Sequence, residues 1–406
     1  MKIHLDLDAF FVSAHRTKDK SLIGKPAAVV KRHDKEIFEL KKTKVLNLNK
    51  GAFTGDIIVT NQELEENKGI IVTASYEARA FGIKTGMTLL EAKKIYPNLI
   101  VIKPDYHLYH LLSYKLKLFL RKKIPLIEQF SIDEFFGDLE GWVDEKDVLK
   151  FCYDLKQEIY DKFSLPISIG IAKSKWIAKL ATSFAKPNGV FKVDNVYDFI
   201  QNIDVSKFPG IGKRLERRLK NRGIFTLGDF VRNKEYILSW GKVGEVLYKR
   251  VIGEDNEEVF EKEDRKSIGI SRRFDAVYDR EEIIRRIKIL CRFLSFLVTK
   301  KKLNPTFYYL KIKYKSGKKS KAHLKVERIF NELLLKEIMS LLFLRADEYD
   351  DGIISISLVV SRFKRVSNLF DYKKDMQNEK LNKAINKIRE KYGVDIVVSG
   401  DEILYN

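Results

Sequence analysis

The chain has 406 residues, 45% of them hydrophobic and 12% aromatic, enough for several domains that each bury a core. Lys and Arg number 77 against 56 Asp and Glu, a formal charge of +21 that favours a polyanionic partner without selecting a fold. No apolar run reaches the roughly 18 residues of a membrane span, and the acidic N-terminus lacks the apolar stretch of a signal peptide, so a soluble intracellular protein is expected.

Residues 2–7 alternate as a short strand, and "KPAAVV" (25–30) reads as another. Residues 31–50 are lysine-rich and weakly patterned, as an insertion would be. "GIIVTASYEARAFGIKTGMTLLEAKKIYPN" (69–98) begins as a buried strand and turns helical, with breaks at Gly82 and Gly86. Thr88 and Glu91 have capping-box spacing for the next helix. A helix over about 105–123 precedes "IEQFSIDEFFGDL", which suits strands and a turn. Another helix, 144–163, leads to the apolar strand "LPISIGIA".

Residues 206–230 form a helix–hairpin–helix pattern with Gly223 as its C-cap. After the charged "EKEDRKS", the order is strand (267–275), helix (279–300), strand (306–315), strand (320–325), helix (326–345) and strand (353–361). That is the ferredoxin-like β-α-β-β-α-β unit. Lys311, Lys313 and Lys315 alternate with Leu310, Ile312 and Tyr314, so one sheet face is apolar and the other carries a lysine row. Residues 265–365 hold 25 Lys and Arg against 11 Asp and Glu, most of the chain's positive excess. A phosphate-tracking surface is expected there. In the tail, Leu381, Ala384, Ile385, Ile388 and Tyr392 make an apolar helical stripe expected to pack on the body.

Several weak signals bear on chemistry. Asp6 and Asp8 lie two apart on a strand, hence on one face. Asp133 and Glu134 admit two readings, because Ser131-x-x-Glu134 also fits a helix capping box. Brought together, Asp6, Asp133 and Glu134 make an all-oxygen site for hard Mg²⁺, with the Leu7 carbonyl as a further ligand. Two such ions would serve an in-line phosphoryl displacement. Thr73, Tyr76 and Arg79 in "TASYEAR" offer phosphate contacts. Lys175, Lys179 and Lys186 share a helix face. Taken alone, Lys175 and Lys179 read as solvated, whereas Lys186 is fixed at a helix end before Pro187-Asn188-Gly189. In "PGIGKR", Gly210 and Gly212 free backbone amides for a phosphate, and Lys213 and Arg214 add charge.

Five motifs in order, "HLDLDAFF", "TASYEARAFGIKTGM", "SIDEFFGDL", "GIAKSKWIAKLATSFAKPNGV" and "FPGIGKRLERRLKNRG", make the chain resemble a Y-family DNA polymerase of the DinB (polymerase IV) branch. The resemblance implies an α/β multidomain fold. It comprises an α+β palm (1–10 and 105–193), small fingers (11–104, with an insertion around 31–68) and a helical helix–hairpin–helix thumb (194–260). A linker (261–266), a ferredoxin-like little finger (267–362) and a tail with an amphipathic helix (363–406) complete it. It implies template-directed, low-fidelity translesion synthesis without proofreading, on primed DNA with deoxynucleoside triphosphates, by a cytoplasmic, nucleoid-associated monomer.

By that resemblance Asp6, Asp133, Glu134 and the Leu7 carbonyl hold two Mg²⁺ ions. Tyr76, Arg79 and Lys186 hold the triphosphate, with Thr73 nearby. Phe11 is the steric gate against a ribose 2′-hydroxyl, Phe10 packs beneath it, and Gly86 and Met87 roof the nascent pair. Asp8 matches a family position whose role stays open. The chain departs from the pattern at residues 31–68, which are longer than usual, and at Val72, where a smaller residue is common. "VSNLF" (366–370) keeps the Leu369 and Phe370 of a sliding-clamp peptide but lacks its glutamine. Two rivals are a nucleotide cyclase, which needs no helix–hairpin–helix, and a DNA-binding scaffold, which needs no intact acid set.

Overall fold

The structure is a computed structural model that describes residues 1–31, 35–38, 69–261, 265–364 and 372–403. Residues 1–31 and 69–261 form one compact unit; residues 35–38, 265–364 and 372–403 form another.

In the first unit the chain runs through β1 (Lys2–Leu7), α1 (Phe10–Lys18), β2 (Ala27–Lys31), β3 (Ile70–Ala74), α2 (Tyr76–Ala80), α3 (Leu89–Ile95), β4 (Ile100–Ile102) and α4 (Tyr106–Lys123). It continues through β5 (Leu126–Gln129), β6 (Glu134–Asp138), α5 (Val148–Phe163), β7 (Ile167–Ala172), α6 (Lys175–Ala185) and β8 (Val190–Lys192). The main sheet has the order β5-β6-β1-β7-β8, and a small sheet has the order β3-β2-β4. In β1, Ile3, Leu5 and Leu7 join the core built with Leu116 and Phe119 of α4 and Leu155 and Ile159 of α5. The period of a strand then sends His4 and Asp6 to the opposite face, where α6 packs. Gly170 of β7 makes that packing close: a Cβ there would overlap the Ala178 carbonyl and the Thr182 amide of α6. The Thr88–Glu91 capping box opens α3 as the spacing predicts.

Short helices come next: α7 (Val196–Ile200), α8 (Lys213–Lys220), α9 (Leu227–Arg232), α10 (Lys234–Leu238) and α11 (Lys242–Ile252). They enclose Phe208, Leu219, Phe230, Ile237 and Leu247. Gly223, at φ +77°, turns the chain out of α8, and its amide bonds the Lys220 carbonyl at 3.0 Å.

The second unit has the element order read from the sequence: β9 (Ser267–Val277), α12 (Arg280–Lys300), β10 (Pro305–Tyr314), β11 (Lys319–Lys325), α13 (Glu332–Ala346) and β12 (Ile353–Phe363). The sheet order is β11-β10-β12-β9, antiparallel throughout. α13 begins at Glu332 rather than 326, because Asn331 caps it by accepting the Leu334 amide at 2.9 Å. Tyr308, Leu310, Ile312 and Tyr314 are buried against the helices. On the other face Lys311 stands opposite Lys321, and Lys313 opposite Lys319. Like charges facing each other destabilise a ladder, so this face is built at a cost.

Of the stretch 31–68, read from the sequence as a fingers insertion, only Lys31 and residues 35–38 are described. Residues 35–38 belong to the second unit, where Phe38 is buried edge-on to Phe274, at 5.6 Å between ring centroids.

The tail helix α14 (Tyr372–Tyr392) corrects an expectation. It does pack on α12 and α13, but through a polar stripe of Asp375, Asn382, Asn386 and Arg389. Leu381, Ile388 and Tyr392 of the apolar stripe are 54%, 44% and 40% exposed. Charge decides the orientation. Asp375 receives a forked pair from Arg328 at 2.7 and 3.0 Å, and Arg389 pairs with Glu332. Beyond the helix, Glu402 is buried between Lys336 at 2.6 Å and Arg292 at 2.8 Å. Buried partners of this kind are costly to separate, which a few exposed apolar side chains do not offset.

Candidate active site

Asp6 on β1 stands directly opposite Glu134 on β6, so both side chains leave the same face of the sheet. Asp133 precedes β6, and its carbonyl accepts the Leu7 amide at 3.0 Å. Ser131 resolves the question its spacing raised. Its hydroxyl accepts the amides of Asp133 at 3.2 Å and Glu134 at 3.1 Å and donates to the Asp133 carboxylate, but the element it opens is a strand rather than a helix. The serine caps the turn that presents the two acids.

The cations come from α6 and its end. Lys186 Nζ lies 2.7 Å from Asp6 Oδ2, and Lys179 pairs with Glu134. Lys175 is buried and meets Glu128 at 2.6 Å. Neither Lys175 nor Lys179 is a solvated helix lysine. Close seating of α6 at Gly170 turns their shared face onto the sheet, and the spacing of four between them was the only signal.

Burial pushes the Asp6 carboxyl up to about 6, against the pull of Lys186 and with help from Glu134 and Asp133. Beneath the acids, His4 is buried and bonds Thr182 Oγ1 at 2.8 Å, while its Nε2 has no hydrogen-bond partner and lies 3.6 Å from Glu134. Burial, then Lys179 and Lys186, hold His4 well below its ordinary range, so the ring is neutral at pH 7. Among the described residues no three acidic, histidine or cysteine side chains stand gathered as a ready cage. Lysines hold two of the acids instead. An oxygen-only donor set with a carboxyl driven toward protonation nevertheless fits a hard divalent cation.

Asp8 comes just after β1 and is buried with every side-chain contact made to a donor. Its oxygens accept the Tyr76 hydroxyl at 3.0 Å, the Ser168 hydroxyl at 2.7 Å and the Asn188 amide at 2.7 Å. It thus ties α2, β7 and the turn after Lys186 together. Ser168 carries no signal that sequence reading could have singled out, and Asn188 reads there only as part of the turn after Lys186. The Arg79 guanidinium sits 4.7 Å over the Tyr76 ring, and its Nε donates to the Ala74 carbonyl at 3.0 Å. Thr73 is half-buried on β3, opposite Val29. Gly86, at φ +91°, turns the 84–87 segment back onto β3, where the Ile71 amide bonds the Met87 carbonyl at 2.9 Å.

Phe10 and Phe11 open α1 directly after Ala9, which takes the left-handed conformation at φ +44°. Phe10 is buried, and Phe11 is half-buried above the core. Elsewhere, Gly210 has φ +107° and Gly212 caps α8, whose first residues, Lys213 and Arg214, are exposed. In the second unit, Lys311 and Lys315 are exposed and Lys313 partly so. Leu369 and Phe370 lie outside the described residues.

The chain matches the impB/mucB/samB family over residues 5–183, and a helix–hairpin–helix motif of the same family over residues 193–224. It is 30% identical over 291 residues to a DNA polymerase IV of Staphylococcus haemolyticus, covering 70% of this chain and 72% of that one. A DNA polymerase IV of Bacillus anthracis is 28% identical over 415 residues, covering 99% of this chain and 93% of the relative. In fold, a Y-family DNA polymerase chimera of Dbh and Dpo4 superposes with a TM-score of 0.71 at 24% identity, over 89% of this chain and 98% of that one. An insertion ternary complex of Dbh DNA polymerase gives a TM-score of 0.59 at 23% identity, over 90% and 99%. With four of the five motif segments meeting at Asp6, Asp8 and Glu134, this chain belongs to the Y-family DNA polymerases, in the polymerase IV branch.

Proposed function

We propose that the chain copies primed DNA by adding deoxynucleotides to the primer 3′-hydroxyl, at low fidelity, across damaged template, without proofreading, with the residues above in specific roles. The observation that carries the reading is Asp6 opposite Glu134, with Lys186 and Lys179 on their carboxylates. Asp6, Asp133, Glu134 and the Leu7 carbonyl would hold two Mg²⁺ ions. When bound, such ions lower the pKa of an attacking hydroxyl and stabilise charge on a leaving oxygen.

The protein's own part is positioning and charge. Asp6 and Glu134, paired with Lys186 and Lys179 in this structure, would be the carboxylates that hold the metal, and Lys186 would then be available to the triphosphate. Arg79, braced on the Tyr76 ring, presents donors to the same phosphates, with Thr73 alongside, and Tyr76 would join them by turning to a phosphate the one hydroxyl proton that Asp8 accepts in this structure. Phe11 closes the sugar side as the steric gate, over Phe10. Gly210, Gly212, Lys213 and Arg214 would grip the duplex backbone, and Lys311, Lys313 and Lys315 would add sequence-independent contacts. The enzyme would act as a nucleoid-associated monomer, with Leu369 and Phe370 as its point of contact for a sliding clamp.

The test is extension of a labelled primer with Mg²⁺ and single deoxynucleotides, opposite intact and damaged template bases. Templated insertion that stops on chelation, including opposite at least one lesion, is expected. Untemplated addition, or activity untouched by chelator, would overturn the reading.

A further inference from the structure

The strongest unassigned feature beside the site is the support behind Phe11. Tyr109, on α4, is fully buried, and its ring lies parallel to that of Phe11, with centroids 4.1 Å apart and planes 6° apart. The Tyr109 hydroxyl shares a hydrogen bond of 2.8 Å with His15 Nε2. His15 is itself buried and stands on α1 one turn after Phe11. Tyr106 meets both rings edge-on, at 6.2 Å from Phe11 and 5.8 Å from Tyr109. At the far end of α1, Lys18 bonds the α4 cap Asp105 at 3.1 Å.

We propose that Tyr109 is a positioning residue that fixes the plane of the Phe11 ring and thereby sets how strongly the enzyme rejects ribonucleotides. An aromatic side chain has broad freedom about its outer torsion. Left unsupported, a half-buried ring can tilt away from an incoming 2′-hydroxyl and lose its value as a wall. Offset or parallel ring contact resists that tilt. The Tyr109 ring is in turn held at its far edge, because a buried hydroxyl without its His15 partner would be left unsatisfied. The helix that bears the gate therefore also bears the residue that locks its backstop.

This inference rests on the reading of Phe11 as the gate, and the experiment separates the two. The measured quantity is the ratio of kcat/KM for a deoxynucleotide to that for the matching ribonucleotide, for the full chain and its variants. Phe11→Ala is expected to collapse the ratio. Tyr109→Leu, which removes the stack, should lower it by about tenfold, mainly by raising ribonucleotide insertion. Tyr109→Phe keeps the ring and loses the tie to His15, leaving the buried His15 Nε2 without its partner; it should lower the ratio by about threefold.

A purely structural role would weaken insertion of both sugars in proportion and leave the ratio alone. If Phe11→Ala collapses the ratio while both Tyr109 variants leave it unchanged, the inference is overturned and the gate stands. If Phe11→Ala changes nothing, the gate reading fails and takes this one with it.

Discussion

Lys186 Nζ lies 2.7 Å from Asp6 Oδ2, so the end of helix α6 neutralises a carboxylate at the heart of the acidic cluster. The same ammonium would pass to the triphosphate once a divalent cation takes its place. Lys186→Ala should raise KM for the deoxynucleotide by about tenfold or more, with little change in affinity for primed DNA. Steady-state insertion kinetics beside a DNA-binding titration decide this. An unchanged KM would remove Lys186 from nucleotide binding.

The Asp6 carboxyl, held up at about 6 by burial, gives the metal-free protein a pH dependence of defined sign. Between its ordinary value and about 6, the folded state binds more protons than the unfolded state. Stability therefore falls as pH rises through that window. Asp6→Asn should remove this slope and stabilise the metal-free protein at pH 7.5 by about 1 kcal/mol. Mg²⁺ should raise the thermal midpoint of the wild type and leave that of the variant in place. Calorimetry at pH 4.5 and 7.5, with and without Mg²⁺, is the check.

Asp8 holds the Tyr76 hydroxyl, the Ser168 hydroxyl and the Asn188 amide at once. Asp8→Ala leaves the buried Ser168 hydroxyl, the Tyr76 hydroxyl and the Asn188 amide without their acceptor and frees the elements proposed to face the phosphates. A loss of about 10²-fold in kcat/KM is expected, at a stability cost of about 2–3 kcal/mol. Tyr76→Phe, which removes a single bond of the three, should cost less on both measures. Equal losses in the two variants would deny Asp8 its role as a junction.

Much of this was legible in the sequence because each signal was local. Alternation in β10 gave the lysine face, Thr88-x-x-Glu91 gave a true cap, and acids among apolar residues marked both segments that carry the proposed metal ligands. What escaped reading depends on approach between distant segments. Lys175 and Lys179 look like ordinary surface lysines until Gly170 brings their helix onto the sheet. Tail helix α14 has an apolar stripe, yet it docks by Asp375 and Arg389, whose partners Arg328 and Glu332 no local pattern reveals. Residues 35–38 read as part of the fingers, whereas the burial of Phe38 beside Phe274 comes from a contact far along the chain.

Gly170 sets the spacing between β7 and α6, so it links packing directly to the site. Gly170→Ala should push the helix off the sheet, destabilise the fold by about 2–4 kcal/mol and reduce extension. Urea unfolding with the extension assay tests it. Wild-type stability in the variant would mean that the helix is not tightly seated.

Acids from two separate stretches of chain would act together on one phosphoryl transfer. Single-turnover primer extension in Mg²⁺, comparing wild type with Asp133→Ala at matched DNA occupancy, tests it most directly. A fall in rate of at least about 10³-fold with DNA affinity retained is expected. Extension by the variant at the wild-type rate would contradict it.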